Sequence, residues 1–503
     1  MRKPRPKPLR NVLKAPATTA LLCLTLGCAR VSGSGGSPPG VDASPASGAR
    51  DAVAQDPPLG PGDATTPSSD AGAPAADGSI GPPGECPGGT STSLTGTTYA
   101  PNGKLPLFNV AVYVPSTPLV PFAAGVSCDR CGGTTVHALA AAVSDEQGRF
   151  RITNVPAGKD VPLVFQVGKW RRKVILPNVV ACQENAITDP NLTRLPRNRQ
   201  EGDMPKIAIT TGSCDMLGCL PSKIGVDTAE FGVAGDDKPV TYYQGAKNIP
   251  PGIPAGVTLI VPELGPPDMT PAETLWRNDS ELGKYDLTLL SCECDEYTSN
   301  KGAAAYAAMA SYLARGGRIF GTDYMYVWYR YSADSALAAT LDISGGARQA
   351  NSPMVIDTSF PKGKALADWM KFLDPGLTYG QITSDTVFSN LNSAMPATTQ
   401  VWATSTSPGS TTLGPRIVSV NTPVNVPSDQ QCGRAVHLDA HISPAPALRA
   451  TVGADAGMPG FKFPQDCGTT LNKGEEALAF LFFDLAACVQ KDTMPVVPPI
   501  IIP

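Results

Sequence analysis

Tyr285-Asp286-Leu287-Thr288-Leu289-Leu290-Ser291, then residues 301–314, then Gly316-Gly317-Arg318-Ile319-Phe320-Gly321 form the stretch that decides the fold. The first segment is a short apolar run, which reads as a buried strand. The second is rich in Ala, Met, Tyr and Leu at helical spacing, and the glycine pair stops it. The third is again a buried strand. Strand, helix and strand in close succession imply a crossover, so both strands lie parallel in one sheet. The alternation continues outward on both sides. Lys206-Ile207-Ala208-Ile209-Thr210 is an earlier strand that ends at Thr211-Gly212. Downstream, 364–373 predicts a helix, 417–420 and 434–438 predict strands, and 473–489 predicts a helix. Residues 205–490 are therefore expected to form an α/β domain, a parallel sheet covered by helices on both faces.

Residues 91–190 follow a different period. Phe108-Asn109-Val110-Ala111-Val112-Tyr113-Val114, Phe150-Arg151-Ile152-Thr153-Asn154-Val155 and Val161-Pro162-Leu163-Val164-Phe165-Gln166-Val167 alternate in steps of two. Pro101-Asn102-Gly103, Gln147-Gly148 and Pro156-Ala157-Gly158 supply turns between them. Short alternating strands at this spacing predict a β-sandwich.

The N-terminus carries an export signal. Arg2, Lys3, Arg5, Lys7, Arg10 and Lys14 precede an apolar run that closes on Leu26-Gly27-Cys28. That order is the layout of a secretory signal over residues 1–27. Leu-Gly-Cys looks like a bacterial lipobox, with Cys28 as the lipidated first mature residue. Thr25 stands where a lipobox usually has leucine, so an ordinary cleaved signal is the alternative. The apolar run is too short to span a bilayer, which takes about 20 residues. Residues 28–90 are dominated by Gly, Ser, Ala, Pro and Asp. Such a segment buries too little apolar surface to offset ordering and is expected to be a disordered tether. Residues 491–503 are a short, proline-broken tail.

The chain has 40 Lys+Arg and 44 Asp+Glu. Six of the basic residues lie in the signal, so the mature part is 34 minus 44, a charge of −10. A net-acidic surface without a basic, aromatic-interleaved patch excludes nucleic acid as a partner. The strongest basic cluster, Trp170-Arg171-Arg172-Lys173, reads as a solvated strand edge.

Thirteen cysteines fit an oxidising, exported setting. Setting aside Cys23 and Cys28 leaves an odd number, so at least one stays unpaired. Cys128, Cys131, Cys182, Cys214, Cys219, Cys432, Cys467 and Cys488 are candidates for bridges. Cys128-Asp129-Arg130-Cys131 also has the spacing of a redox pair, which would make a reducible, exposed bridge.

Two resemblances sharpen these expectations. Pro101-Asn102-Gly103 through Val114, Ser144-Asp145-Glu146-Gln147-Gly148-Arg149-Phe150 and Val155-Pro156-Ala157-Gly158 resemble the carboxypeptidase regulatory-like (prealbumin-like) β-sandwich over about 90 residues. The resemblance implies a structural or adhesive accessory; the insert 115–135 departs from it. Residues 205–490 resemble the class I glutamine-amidotransferase-like superfamily, most nearly its ThuA-like branch. The match rests on Tyr285-Asp286-Leu287, on Tyr312-Leu313 with Gly316–Gly321, and on Cys432-Gly433-Arg434-Ala435-Val436-His437. It implies a flavodoxin-like, three-layer α/β domain. Together the modules are similar to a family of exported myxobacterial lipoproteins, a resemblance that implies the cell envelope and, through the lipid, the outer membrane as the expected location.

An amidotransferase needs a nucleophilic cysteine on a strained strand-to-helix turn, activated by a histidine and a carboxylate. The resemblance puts that turn at Gly321-Thr322-Asp323-Tyr324-Met325, which holds no cysteine. Cys292 and Cys294 end an earlier strand, where such folds bind ligands. The carboxylates around them raise a thiol pKa and argue against a nucleophile. His437-Leu438-Asp439-Ala440-His441 contains two of the three histidines. On a strand His437, Asp439 and His441 share one side, which suits Zn²⁺ or acid–base chemistry, with Asp323 able to complete the site. If the strand ends at Asp439, they are ordinary strand-end residues. Tyr324, Tyr326 and Trp328 could stack on sugar rings if exposed, or simply pack. Two functional readings stand. One is a non-catalytic envelope lipoprotein that binds glycan or a surface protein and needs no cofactor. The other is a metal-assisted hydrolase or sugar-modifying enzyme using His437, Asp439, His441 and Asp323.

Overall fold

The computed structural model describes residues 86–131, 135–212, 214–245, 269–346, 349–350, 353–384, 386–407, 410–441, 464–465, 467–496 and 500–502. The expected signal, Cys28 and nearly all of the tether lie outside these residues. The described part belongs to one compact unit, Ala76–Pro503.

A ten-stranded sheet is its spine. The spatial order is Gln381–Ile382, Met354–Ile356, Thr399–Thr406, Leu413–Thr422, Gly433–Leu438, Arg318–Thr322, Leu287–Leu290, Ile207–Thr210, Val240–Tyr243 and Phe231–Val233. The six strands from Gly433–Leu438 to Phe231–Val233 run parallel. The other four extend the sheet antiparallel. The expectation of a parallel sheet holds for those six strands and is corrected for the other four. The link 407–412 is too short to carry a crossover, so Thr399–Thr406 and Leu413–Thr422 pair as a hairpin.

The central strands are buried on both faces, and each face has its own partners. Ile207, Ile209, Leu287, Leu289, Phe320, Val436 and Leu438 point into a core shared with the helices Pro361–Leu373 and Lys473–Ala486. Ala208, Leu290, Ile319 and Ala435 point the other way, toward Thr298–Ala314 and its neighbours. Gly316 stops Thr298–Ala314 at φ +112°, and a Cβ there would sit 2.3 Å from the Ser127 carbonyl oxygen. Only glycine admits that turn beneath the insert.

Residues 93–187 form the expected sandwich. A three-stranded sheet (Arg149–Thr153, Ser93–Thr97, Glu184–Ile187) faces a five-stranded one, in which the tail strand Ile500–Ile502 pairs with Thr135–Val143. The sandwich rests on Lys473–Ala486, with Phe108 stacked on Phe480 at 5.7 Å and Trp170 beside Phe483 at 5.6 Å. Full burial of a phenylalanine ring contributes about 1.5–3 kcal/mol, and the half-buried Phe108 contributes less. Arg171, expected on a solvated edge, is buried. It pairs with Asp203 at 2.7 Å and lies over the Phe122 ring.

Charge is used inside as well. Arg318 donates to the carbonyls of Leu485, Ala486 and Ala487 at the end of Lys473–Ala486, where a cation complements the helix dipole. Arg434 bonds Asp484 at 2.9 Å and Asp492 at 2.7 Å, and Lys362 joins them at 2.6 Å and 3.2 Å.

Five bridges staple the unit: Cys86–Cys182, Cys128–Cys432, Cys131–Cys488, Cys214–Cys294 and Cys219–Cys467. Cys292 keeps a free thiol, the unpaired cysteine the odd count requires. The redox reading of Cys128 and Cys131 is corrected. They do not bond each other; each ties the sandwich insert to the α/β part, across 304 and 357 positions. These bridges are compatible with an oxidising, extracellular setting. Among the described residues no helix is long and apolar enough to cross a membrane.

Candidate functional site

Four parallel strands deliver side chains to one edge. Ile207–Thr210 leads through Thr211 and Gly212 to Cys214. Leu287–Leu290 leads to Ser291, Cys292, Glu293 and Cys294. Arg318–Thr322 ends on Asp323, and Gly433–Leu438 on Asp439. After Ile207–Thr210 the chain first builds Phe231–Val233 and Val240–Tyr243 on one side, then Leu287–Leu290 on the other. The crevice between Ile207–Thr210 and Leu287–Leu290 is thus the topological switch point, the usual ligand position in open α/β sheets. The two chain segments approach closely there: a Cβ on Gly212 would lie 2.2 Å from the Cys292 carbonyl oxygen.

Asp323 is the hub. It stands at the strand-to-helix turn in the left-handed region, φ +43°, and is fully buried. A non-glycine residue in that conformation is uncommon and signals a local demand. The demand is its hydrogen bonding. Asn390 Nδ2 donates to Oδ1 at 2.8 Å, His441 Nε2 meets Oδ2 at 2.9 Å, and the Cys292 thiol donates to Oδ2 at 3.3 Å. Cys294, two residues beyond Cys292, is also left-handed, at φ +72°.

Asp439 shares this network. Asn390 Nδ2 donates to its Oδ1 at 2.7 Å, and the backbone N–H groups of Asn390 and Leu391 to Oδ2 at 2.9 and 3.2 Å. Burial first, then the Asp323 charge, pushes the Asp439 carboxyl up to about 7; Arg416, 3.7 Å away, works against this. Burial and Asp323 likewise push the Cys292 thiol well above its ordinary range. Cys292 is therefore a thiol that donates, not a nucleophile in waiting. Beside it, Lys301 and Glu293 form a fully buried ion pair at 2.6 Å.

Of the expected site residues, Asp323, His441 and Asp439 come together, joined through Asn390. His437 does not join them. Asp439 interrupts the strand between Gly433–Leu438 and Ala440–His441, and His437 is enclosed edge-on by Tyr326 and Tyr329. Neither of its ring nitrogens has a hydrogen-bond partner among the described residues, and burial lowers its pKa to about 4. Cys214 Sγ, Cys292 Sγ and a ring nitrogen of His441 lie within 4.8 Å of one another. Those are the ligand types that geometry groups here.

The aromatic run is mostly interior. Trp328 is 1% exposed and packs edge-on against Trp276 and Tyr306. Tyr326 is buried and donates to Glu296 at 2.8 Å. Rings so enclosed offer no face to a sugar, which corrects the expectation of an exposed platform for these two; Tyr324 is half-buried. Asn390 and Arg416 carry no sequence signal: one is an ordinary loop amide, the other an arginine within a strand.

No family model matches the chain, and no curated protein does. Two solved structures of type II cohesin–X-dockerin complexes from Acetivibrio cellulolyticus align with parts of it. A C-terminal interface mutant is 15% identical and covers 24% of this chain and 76% of that chain, with a TM-score of 0.14. An N-terminal interface mutant is 17% identical and covers 29% and 78%, with a TM-score of 0.13. Likeness at that level carries no argument about fold or partner.

Proposed function

We propose that this chain is an exported envelope protein, lipid-anchored at Cys28, whose sandwich binds carbohydrate and whose α/β domain is a degenerate, non-catalytic relative of the amidotransferases. A contrast between two places carries the reading. At the carboxyl end of the sheet Cys292, Asp323, His437 and Asp439 are fully buried, and the turn expected to hold a nucleophile holds a carboxylate engaged by three donors. On the three-stranded sheet of the sandwich lies an open cleft of about 450 Å³, lined by Thr95, Thr97, Tyr99, Arg149 and Thr188 among others. That volume falls in the usual range for small-ligand sites, about 300–1,000 Å³. Threonine hydroxyls, a guanidinium and a tyrosine ring suit a polyhydroxylated ligand.

Kinship with the amidotransferase-like domains is supported by strand order. Val240–Tyr243, Ile207–Thr210, Leu287–Leu290, Arg318–Thr322 and Gly433–Leu438 stand, in that spatial order, as the second, first, third, fourth and fifth of these strands in the chain, apart from the edge strand Phe231–Val233. That is the flavodoxin-like order. Fold alone implies no activity. Binding is tested by calorimetry of the mature chain with oligosaccharides released from a bacterial outer membrane and from peptidoglycan. Arg149→Ala, on an exposed side chain, is expected to abolish the heat of binding. No binding by the wild type, or binding untouched by Arg149→Ala, refutes the cleft.

A further inference from the structure

The closed end of the sheet holds a donor set that the carbohydrate reading does not use and whose chemistry is independent of it. Cys214 and Cys294, both half-buried, are joined by a bridge at the switch point. Cys292 is fully buried nearby with its thiol free. The sulfurs of Cys214 and Cys292 and a ring nitrogen of His441 lie within 4.8 Å of one another. A tetrahedral zinc site places sulfur and nitrogen donors roughly 3.5–3.8 Å apart. These atoms therefore need to close by only about 1 Å.

Two further contacts fit a metal. Asp323 holds Nε2 of His441 at 2.9 Å. A carboxylate bonded to the imidazole fixes the orientation of the ring, as at many zinc sites. The Cys294 N–H donates to the Cys292 sulfur at 3.4 Å, a bond that favours thiolate. With the bridge closed, however, Cys214 cannot act as a thiolate ligand.

We propose that opening the Cys214–Cys294 bridge with a dithiol turns this edge into a site for a thiophilic cation, Zn²⁺ foremost, held by Cys214, Cys292 and His441 with water in the fourth position. The step balances. The dithiol gives up two electrons and two protons as its own sulfurs join. The Cys214 and Cys294 sulfurs each take one electron and one proton as their bond breaks. Zn²⁺ then displaces the protons of the Cys214 and Cys292 thiols to solvent, while Cys294 keeps its own. Sulfur and imidazole donors together select Zn²⁺ or Cu⁺ over Mg²⁺ or Ca²⁺. The half-exposed bridge gives both reductant and ion a way in.

Cys294→Ala tests the site, because it frees Cys214 without a reductant and leaves the other four bridges intact. The full mature chain is incubated with Zn²⁺ or Co²⁺ under argon and passed through a desalting column. The expected result is one ion per chain and, with Co²⁺, tetrahedral thiolate absorption. Both should vanish when Cys292→Ser or His441→Ala is added. Asp323→Asn in the same background should weaken affinity by about 10–100-fold. No uptake, uptake that survives loss of Cys292 and His441, or a Cys214–Cys292 disulfide in place of metal overturns the proposal. If Cys294→Ala does not fold, the wild type is titrated with dithiothreitol while alkylation maps each bridge. Metal uptake must then track opening of Cys214–Cys294; uptake with that bridge closed, or opening without uptake, overturns it equally.

Discussion

His437→Phe is expected to stabilise the protein in acid and to change its pH dependence in a defined window. The His437 ring is buried between Tyr326 and Tyr329, and burial lowers its pKa from 6.5 to about 4. The unfolded chain protonates this ring below pH ~6.5, and the folded chain only below about 4. Between those values unfolding takes up a proton, so the contribution of His437, complete above pH ~6.5, is lost as the pH falls. A window of about 2.5 units at ~1.36 kcal/mol per unit makes that loss about 3 kcal/mol. Phenylalanine fills a similar volume and does not titrate, so the variant escapes the loss. Asp439 acts in the opposite sense. Its folded pKa is raised to about 7, so its contribution is complete below the unfolded value of ~3.9 and is lost as the pH rises through about 7. In the wild type the two slopes oppose each other between pH 4 and 6.5. Of these two slopes, His437→Phe keeps only that of Asp439. Urea unfolding with bridges intact, followed by tryptophan fluorescence from pH 4 to 8, reads both proteins. The variant should gain about 3 kcal/mol on the wild type between pH 7 and pH 4, with the urea dependence unchanged. Stability curves that stay parallel across that range refute the buried, neutral His437.

Two other substitutions separate structure from function. Arg434→Met removes the guanidinium shared by Asp484 and Asp492, leaving Lys362 alone with both carboxylates, and should cost about 3–5 kcal/mol in the same unfolding assay. Trp328→Ala opens a cavity beside Trp276 and Tyr306 and should cost about 3–5 kcal/mol while sparing oligosaccharide binding by the folded fraction. Loss of binding at unchanged stability would instead make Trp328 a ligand contact.

The strand–helix–strand stretch around 285–321 was legible because apolar runs, a helical period and a glycine stop agree, and each element appears within a few residues of its expected place. The hairpin with Leu413–Thr422 was half legible. Thr399–Thr406 is a strand of threonines, a serine and a glutamine broken by Val401, Trp402 and Ala403, and its partner supplies the reason it forms. The Cys128-x-x-Cys131 spacing misled because a local pattern says nothing of partners 304 and 357 positions away. Asp323 could be placed at the turn from the strand before it. Its acceptance of bonds from Asn390, His441 and Cys292 could not, since those residues come from three other segments. Nor could His437 be told from His441. The break at Asp439 is tertiary: backbone N–H groups of Asn390 and Leu391 bond its side chain, and the next two residues pair with Thr386–Val387.

The most direct measurement is one calorimetric comparison of wild type, Arg149→Ala and Asp323→Asn against the same envelope oligosaccharides. Binding without turnover, lost in Arg149→Ala and kept in folded Asp323→Asn, is the expected result. Steady heat of turnover that persists in Arg149→Ala and disappears in Asp323→Asn would contradict it and place chemistry at the carboxyl end of the sheet.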